Sequence, residues 1–475
     1  MKKVIIIGAG ITGLSAGINA LLKGHTVSIY EKCESVGGCC NGWYRDGLYI
    51  DNCMHWLTGT NQHTKLFKLW KKLGAIDETS NLYQGSYFYK SCLNNESISL
   101  YCNTEKVRNE MIKLSPEDRK EIDCFIDIVN NFIITNKKTN IIKNLFNKSC
   151  GYTKGYLKYH KLSLLDLSKK FKHPLLQKLF TDYLPSSYSS LALIISYATF
   201  ASGNGKLYTK GSLQFSNNMK ERFLELGGKL YLNSEISKIN IENKKFCSIV
   251  CNQKTIKADI LISCIDPFYL FKNLLSDSYL PKQLYEKKLC KQENKVISSF
   301  HSAYVINKNN LKFKDTIIIE IPKTQVGLSK INRLLIKEYS YLNPSSDTVV
   351  IQCFIIQNMI DYEYWEQLYD DNKENYNESK NKIGLKLQEL ITNYDNSLFD
   401  NIKLLDTWTP VTYTNYFNSY YGSYMGFVFK KNSKFFKLSP KIKDIKNMYY
   451  LSYFQTICGG LPICAELGED IIKYL

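Results

Sequence analysis

Three glycines spaced as Gly8-Ala-Gly10-Ile-Thr-Gly13, followed by an acid at Glu31, could carry one kind of chemistry: holding the diphosphate of a dinucleotide. The first glycine permits a tight turn, the second lets a pyrophosphate approach the backbone, and the third lets a helix pack closely on a strand. A helix starting at such a turn aims free N–H groups and the positive end of its dipole at the phosphates. Glu31, 18 residues past Gly13, can accept bonds from a ribose diol. A second pattern stands near the other end, in "TICGGLPICAELGEDIIKYL". Gly459-Gly460 reads as a tight turn, and Pro462 suits the first position of a helix. That is another helix start, with N–H groups to offer.

The glycines need elements around them. Residues 4–7 form a continuous apolar run, as a strand buried on both faces requires. The stretch after Gly13 reads as a helix with Ile18 and Leu22 on one face. A second strand is predicted over residues 26–30, ending at Glu31. Farther on, residues 213–226 read as a helix, with strands near 230–232 and 259–264 and a hairpin-like pair between them.

The stretch "EKCESVGGCCNGW" adds Gly37-Gly38 just after Glu31, a pair of the kind that packs near the diphosphate in FAD proteins. Through "GWYRDGLYIDNCMHWLTGT" the start of the chain resembles the phytoene desaturase-like branch of the FAD-dependent amine oxidase superfamily. This branch holds carotenoid desaturases, carotenoid isomerases and retinol saturases. "YTKGSLQFSNNMKERFLELGGKLYLNSEISKINIENKKFCSIVCNQKTIKADILISCIDP" resembles the superfamily's second FAD segment. It implies that backbone groups around Glu235 and Ile236 contact the adenine side of FAD. The closing block resembles the motif that faces the isoalloxazine ring, implying that role for Gly459, Gly460, Leu461 and Pro462. "LLDTWTPVTYTNYFNSYYGSYMGF" is also similar to a stretch of this branch. One departure stands out: where the family commonly continues with a small residue, Gly and Arg, this chain has Leu467-Gly468-Glu469, which keeps the Gly but lacks the Arg, and Glu469-Asp470 adds negative charge.

The resemblance implies a fold and a reaction. The fold class is α/β: a Rossmann-like FAD-binding domain built from discontinuous segments, plus a mixed α+β substrate domain. Residues 1–73, 204–268 and 402–475 would form the FAD domain, 74–203 a helical substrate- or membrane-facing segment, and 269–401 the substrate domain. The reaction implied is hydride transfer at flavin N5 to or from a carbon–carbon bond of an apolar polyene or isoprenoid. The electron donor or acceptor stays open. Two alternatives also stay open: a flavin amine oxidase or other small-molecule oxidase, and an FAD-binding protein without turnover.

Reduction of a double bond would need a proton donor, and desaturation could use a base. Of six histidines, His55 in "NCMHWLTG" is the best-placed catalytic candidate; the competing reading is that it orders its own turn. His301, Tyr413 and Tyr416 are further candidates. Cys39 and Cys40, beside Gly38, raise the prospect of a thiol that attacks or links the flavin, although position alone says nothing about thiolate character.

Around these motifs, residues 74–203 read mainly helical. Ser115-Pro116 starts an amphipathic helix carrying Ile122, Phe125, Ile126, Val129 and Phe132. Residues 269–401 mix strand-like runs ("DTIIIEIP", "DTVVIQCFII") with a helix over 380–394.

Composition excludes several classes. At 475 residues with 44% hydrophobic content, the chain can bury a substantial core and does not read as disordered. No run of about 18 apolar residues suggests a spanning helix. The start, "MKKVIIIGAGITGL", reads as a strand and turn and not as a signal peptide. Fifteen cysteines, an odd count without any CxxC pair, argue for reduced thiols in a cytoplasmic protein and against a metal site. Net charge is +18, and residues 137–178 hold eleven lysines against Asp166 alone. Interleaved with Phe, Tyr and Leu, these lysines read either as a solvated helical face or as a membrane-surface patch carried by Lys158, Lys161, Lys169, Lys170 and Lys172. The second reading would place the protein on the inner face of a membrane. No nucleic-acid partner is expected, because nothing else resembles a nucleic-acid module.

Overall fold

Strand β1 (Lys3–Ile7) lies at the centre of a five-stranded sheet in the computed structural model, which describes residues 1–137, 150–289, 295–434, 436–457 and 459–475. The order is Lys229–Tyr231, β2 (Thr26–Tyr30), β1, Ile260–Ser263, Met448–Tyr450, and every neighbouring pair is parallel. Side chains alternate across a strand, and here both faces are covered. Val4 and Ile6 pack with Leu14 and Ile18 of helix α1 (Ile11–Leu22) and with Phe215 and Phe223 of helix Gly211–Glu225. Ile5 and Ile7 pack with Ile239, Phe246 and Ile249 of a three-stranded antiparallel meander. That double cover is why residues 4–7 are apolar without alternation. Leu22 departs from the expected face: it is 47% exposed, because α1 ends there while Ile18 is fully buried.

A seven-stranded sheet forms the second layer, in the order Ile402–Trp408, Ser298–Asn307, Thr348–Gln357, Ser329–Glu338, Thr316–Val326, Tyr87–Leu93, Glu96–Tyr101. Two features differ from the sequence reading. The segment 74–203 is not wholly helical: it contributes the hairpin Tyr87–Leu93/Glu96–Tyr101, turned by Asn94 and Asn95 in the left-handed region. Such a two-residue turn matches the twist of the flanking strands. The strand Ile402–Trp408, grouped by the sequence reading with the closing segment 402–475, pairs instead with Ser298–Asn307.

Two helices also shift. Helix Arg119–Lys137 buries Ile122, Phe125, Ile126, Val129 and Phe132 as expected, but a 3₁₀ turn at Pro116–Asp118 precedes it. Helix Lys373–Tyr394 starts earlier than residue 380, because the Asn372 side chain caps it by accepting from the Glu374 and Asn375 N–H groups. Among the described residues no helix is long and apolar enough to cross a membrane.

Candidate functional site

A cavity of about 360 Å³ opens where the strands of the first sheet end, and it brings the sequence motifs together. Gly8, at φ +96°, donates its N–H to Tyr30 O at 2.8 Å and turns the chain from β1 into α1. The remaining glycines of this turn divide by role. A Cβ on Gly13 would stand 1.9 Å from Gly8 O, so that glycine serves helix–strand packing, and Gly13 does not line the cavity. A Cβ on Gly10 would meet nothing nearer than Gly37 O at 3.9 Å. The protein itself does not require glycine at position 10; a ligand against the backbone would.

Gly37 and Gly38 continue this wall, with the Gly37 N–H bonded to Ala9 O at 2.9 Å. Glu31 is tied to the same turn. Its Oε2 accepts the Ala9 N–H at 2.7 Å and its Oε1 the Cys33 N–H at 2.9 Å, which fixes the carboxylate at the cavity edge. Glu235 and Ile236 line the cavity, as does Asp266. Burial raises the Asp266 carboxyl to about 6, against the pull of its bonds from Tyr420, Phe268 and Tyr269 N–H groups.

The closing helix, Leu461–Asp470, begins at the same cavity. Gly460 stands at φ +102°, and Gly459, Gly460, Leu461 and Pro462 all line the wall. Neither α1 nor the closing helix has a side-chain cap at its N-terminus, so first-turn N–H groups of both are left for another partner. The two helices cross tightly. Ser15 Oγ donates to Ala465 O at 2.7 Å, and a Cβ on Gly468 would come within 2.5 Å of Ser15 Cβ. The acidic departure at the C-terminal end does not reach the cavity: Glu469 pairs with Lys72, and Asp470 with Lys437 and Lys473.

The far end of the cavity is aromatic, and strand register builds it. Phe354, His301 and Trp408 are directly opposed on three neighbouring strands and form one row. His301 stacks on Trp408, with ring centroids 4.6 Å apart and planes within 6°, and meets Phe354 edge-on at 4.8 Å. Its Nε2 lies 2.6 Å from Ser299 Oγ and 3.4 Å from the Tyr413 hydroxyl. The Tyr413 hydroxyl accepts from Trp408 Nε1 at 3.2 Å and donates to Asn52 Oδ1 at 3.0 Å.

His55 packs against the same Phe354 at 5.1 Å. Its turn is held through main chain, by Asp51 below and Lys337 above. Buried Asp51 accepts the Cys53 and Met54 N–H groups, both at 3.0 Å, together with the Ser212 hydroxyl and N–H. Buried Lys337 donates to Met54 O at 2.9 Å and His55 O at 3.2 Å. The imidazole is thus left facing the cavity.

Electrostatics limits what these groups can do. Burial, then the nearby Lys337 cation, lowers His55 to about 3. Burial, then His55, holds His301 well below the ordinary histidine range. Both rings are neutral near pH 7; they can accept a hydrogen bond but resist taking up a proton. Burial pushes the Tyr413 hydroxyl well up, so it keeps its proton. Burial likewise pushes the Cys39 thiol up, against the thiolate an attacking cysteine requires.

Tyr416 lies elsewhere, exposed at the Glu31 end, where its carbonyl meets Cys33 Sγ at 3.2 Å. Lys158, Lys161, Lys169, Lys170 and Lys172 take no part in the cavity. Asn52, Asp51, Phe354, Trp408 and Lys337 gave no sequence signal, since each matters only through cross-strand placement or burial. Among the described residues no cluster of His, Cys, Asp and Glu could hold a metal ion.

Comparison with known proteins agrees with this arrangement. Residues 6–73 match the family described as an NAD(P)-binding Rossmann-like domain. The chain is 24% identical to a 1-hydroxycarotenoid 3,4-desaturase of Flavobacterium sp. (strain P99-3), over 99% of both chains. It is 22% identical to a 4,4'-diaponeurosporene oxygenase of Staphylococcus aureus, over 99% of this chain and 97% of that one. Its fold is that of a putrescine oxidase structure, with a TM-score of 0.60 at 15% identity, covering 100% of this chain and 99% of the other. With the glycine turns, both helix starts and the two sheets accounted for, the chain is an oxidoreductase of α/β fold that is similar over nearly its whole length to proteins named as carotenoid desaturases and oxygenases.

Proposed function

We propose that the chain binds FAD along this cavity and acts on a carbon–carbon bond of an apolar polyene or isoprenoid. One observation carries the reading: two helix N-termini without side-chain caps open onto a single cavity whose far wall is a row of aromatic side chains. The open face of Gly10 fits a diphosphate laid against the backbone, and a Cβ there would fill the cradle. Glu31 would take the ribose diol, Glu235 and Ile236 the adenine side, and Gly459 to Pro462 the isoalloxazine ring. When bound, FAD supplies a hydride acceptor and donor at N5.

The chain's own residues do the rest. A helix start is worth about 0.3–2 kcal/mol to a bound anion, so the two starts orient the cofactor more than they hold it. Phe354 gives a polyene an apolar face, and Trp408, stacked on His301, backs that wall. His55 and His301, both held neutral, offer a ring nitrogen there for a hydrogen bond. The relatives named for carotenoid substrates support this substrate class.

The basic surface fits a peripheral membrane site. Lys161, Lys169 and Lys172 are exposed, and Leu157 and Leu165 stand out among them. Lys158 is engaged by Glu121 at 3.3 Å and contributes less. Lysines over anionic headgroups, with leucines dipping below, would bring a bilayer-dissolved substrate to the protein.

The deciding experiment is a visible absorption spectrum of protein purified gently with its lipids, followed by turnover of a polyene in liposomes. A flavin band with polyene conversion supports the reading. Peroxide release with amines would favour an amine oxidase, and bound flavin without either turnover would favour a binding protein. No flavin band, even after FAD is added, overturns the proposal.

A further inference from the structure

Among the described residues five cysteines, Cys39, Cys40, Cys53, Cys264 and Cys464, line the cavity, and two of them face each other. Strands β3 (Gly42–Arg45) and β4 (Leu48–Asp51) form a hairpin that pairs Gly42 with Asp51. The Asn52 N–H extends the ladder by one step, donating to Asn41 O at 3.1 Å. Continuing that register one step further places Cys40 opposite Cys53, and the two thiols are near enough to perturb each other.

Ser212 fixes both positions. Cys40 Sγ donates to Ser212 O at 3.8 Å, while the Ser212 N–H and hydroxyl hold Asp51 at 2.6 and 2.7 Å. Asp51 Oδ1 in turn accepts the Cys53 N–H. Directly opposed residues of an antiparallel pair have Cβ atoms about 4.5–5.5 Å apart. A disulfide needs about 3.5–4.5 Å. Closing the pair therefore asks for a shift of about 1 Å.

We propose that Cys40 and Cys53 are a redox pair that exchanges two electrons with the flavin of this cavity. The proposal rests on the FAD reading above. When the pair is oxidised, two S–H bonds break and one S–S bond forms. Two electrons and one proton pass to the oxidised flavin, and the second proton is released. When the pair is reduced, the disulfide takes two electrons and one proton from the reduced flavin and a second proton from solvent, restoring both thiols. The pair is thus a two-electron store beside the ring, and it gives the enzyme a way to pass electrons on without a second nucleotide domain.

Two features set its behaviour. The hydrogen bond from Cys40 and burial both push the Cys53 thiol up, so the thiolate is scarce near pH 7 and exchange speeds up as pH rises. Lys337, bonded to the carbonyls of Met54 and His55 just beyond Cys53, offers a nearby cation that favours the thiolate.

The test is an anaerobic dithionite titration of the fully re-oxidised, flavin-bound protein, followed at the flavin band. The expected uptake is about four electrons per flavin, falling to about two in Cys53→Ser. Cys264→Ser, on the same wall but outside the pair, should keep the larger value. Mass mapping after thiol blocking should find a linked Cys40–Cys53 peptide in oxidised protein and none after reduction. Uptake of about two electrons by the unaltered protein, with both thiols free after re-oxidation, would overturn the proposal. Protein that takes no FAD would fail the cofactor reading instead. In that protein, exposure to oxidised glutathione still reads the pair, and absence of a Cys40–Cys53 link would overturn it.

Discussion

At its Glu31 end the cavity is walled mainly by main chain, at Gly8, Gly10, Gly37 and the start of α1, with one carboxylate pinned to that backbone. At its His301 end the wall is side chains, carried by three strands of the other sheet and by the Tyr413 helix, Pro410–Phe417. Backbone recognition needs particular glycines at fixed spacing within a few residues, whereas side-chain recognition needs residues more than fifty positions apart to fall in register. The first kind of site writes itself into a short motif. The second does not.

The largest effects should come from separating the glycines of the first end. Gly10→Val should lose bound flavin, by about 100-fold or more in affinity, while the melting curve of its flavin-free form stays near that of the flavin-free parent, because no protein atom stands where the new Cβ would go. Gly13→Val should instead destabilise the fold, by roughly 3 kcal/mol, through collision with Gly8 O. Similar melting curves for the two variants would break the distinction between a ligand-facing and a packing glycine.

Next come the side chains of the other end. His301→Ala should leave flavin content unchanged and lower polyene turnover about tenfold or more. Loss of flavin in that variant would mean that the two ends do not work separately.

Acid should expose opposite signs at the two ends. Asp266, at about 6 when folded against 3.8 when free, adds stability as pH falls from about 6 to 4. His55, at about 3, and His301, also lowered, must stay neutral in the fold, so they lose stability as pH falls below 6.5. At pH 5 His55 costs up to ~2 kcal/mol, less in practice because it opens to the cavity, and His301 adds a cost of the same sign, against a gain of ~1.4 kcal/mol from Asp266. Net stability should therefore fall on acidification to pH 5. The His55→Gln/His301→Gln variant should reverse that slope, as read from urea unfolding at pH 7, 6 and 5.

The smallest expected effect concerns the surface. Reversing Lys169, Lys170 and Lys172 to Glu should lower cosedimentation with anionic liposomes several-fold and leave flavin content alone. Unchanged sedimentation would remove the membrane patch.

The contrast between the ends also explains what the sequence disclosed. Gly8 to Glu31 could be read because strand, turn, helix and acid are contiguous, and Gly459 to Pro462 because a glycine pair before Pro marks a helix start. His55 could be placed near the site from its neighbours, but not its low pKa, which comes from burial and then from Lys337, far off in sequence but close in the fold. Phe354 and Trp408 were invisible because nothing local says which residues will stand beside His301. The hairpin at Asn94-Asn95 was missed for another reason: helical patterning dominates 74–203 and masked a short two-residue turn. Lys337, in "RLLIKEYS", looks like any surface lysine until the strand Ser329–Glu338 buries it.

The crossing of α1 with the closing helix has a consequence for biosynthesis. Ser15 Oγ reaches the carbonyl of a residue 450 positions later, so the early strand-and-turn waits for a helix made 450 residues after it. At ribosomal speeds of about 5–20 residues per second that wait is roughly 20–90 s. Throughout it the apolar run Val4 to Ile7 lacks its full cover, and half of the anion-binding wall is missing. On the proposed reading, full cofactor binding waits for that later helix, and cells short of flavin should accumulate a poorly held chain exposed to proteases.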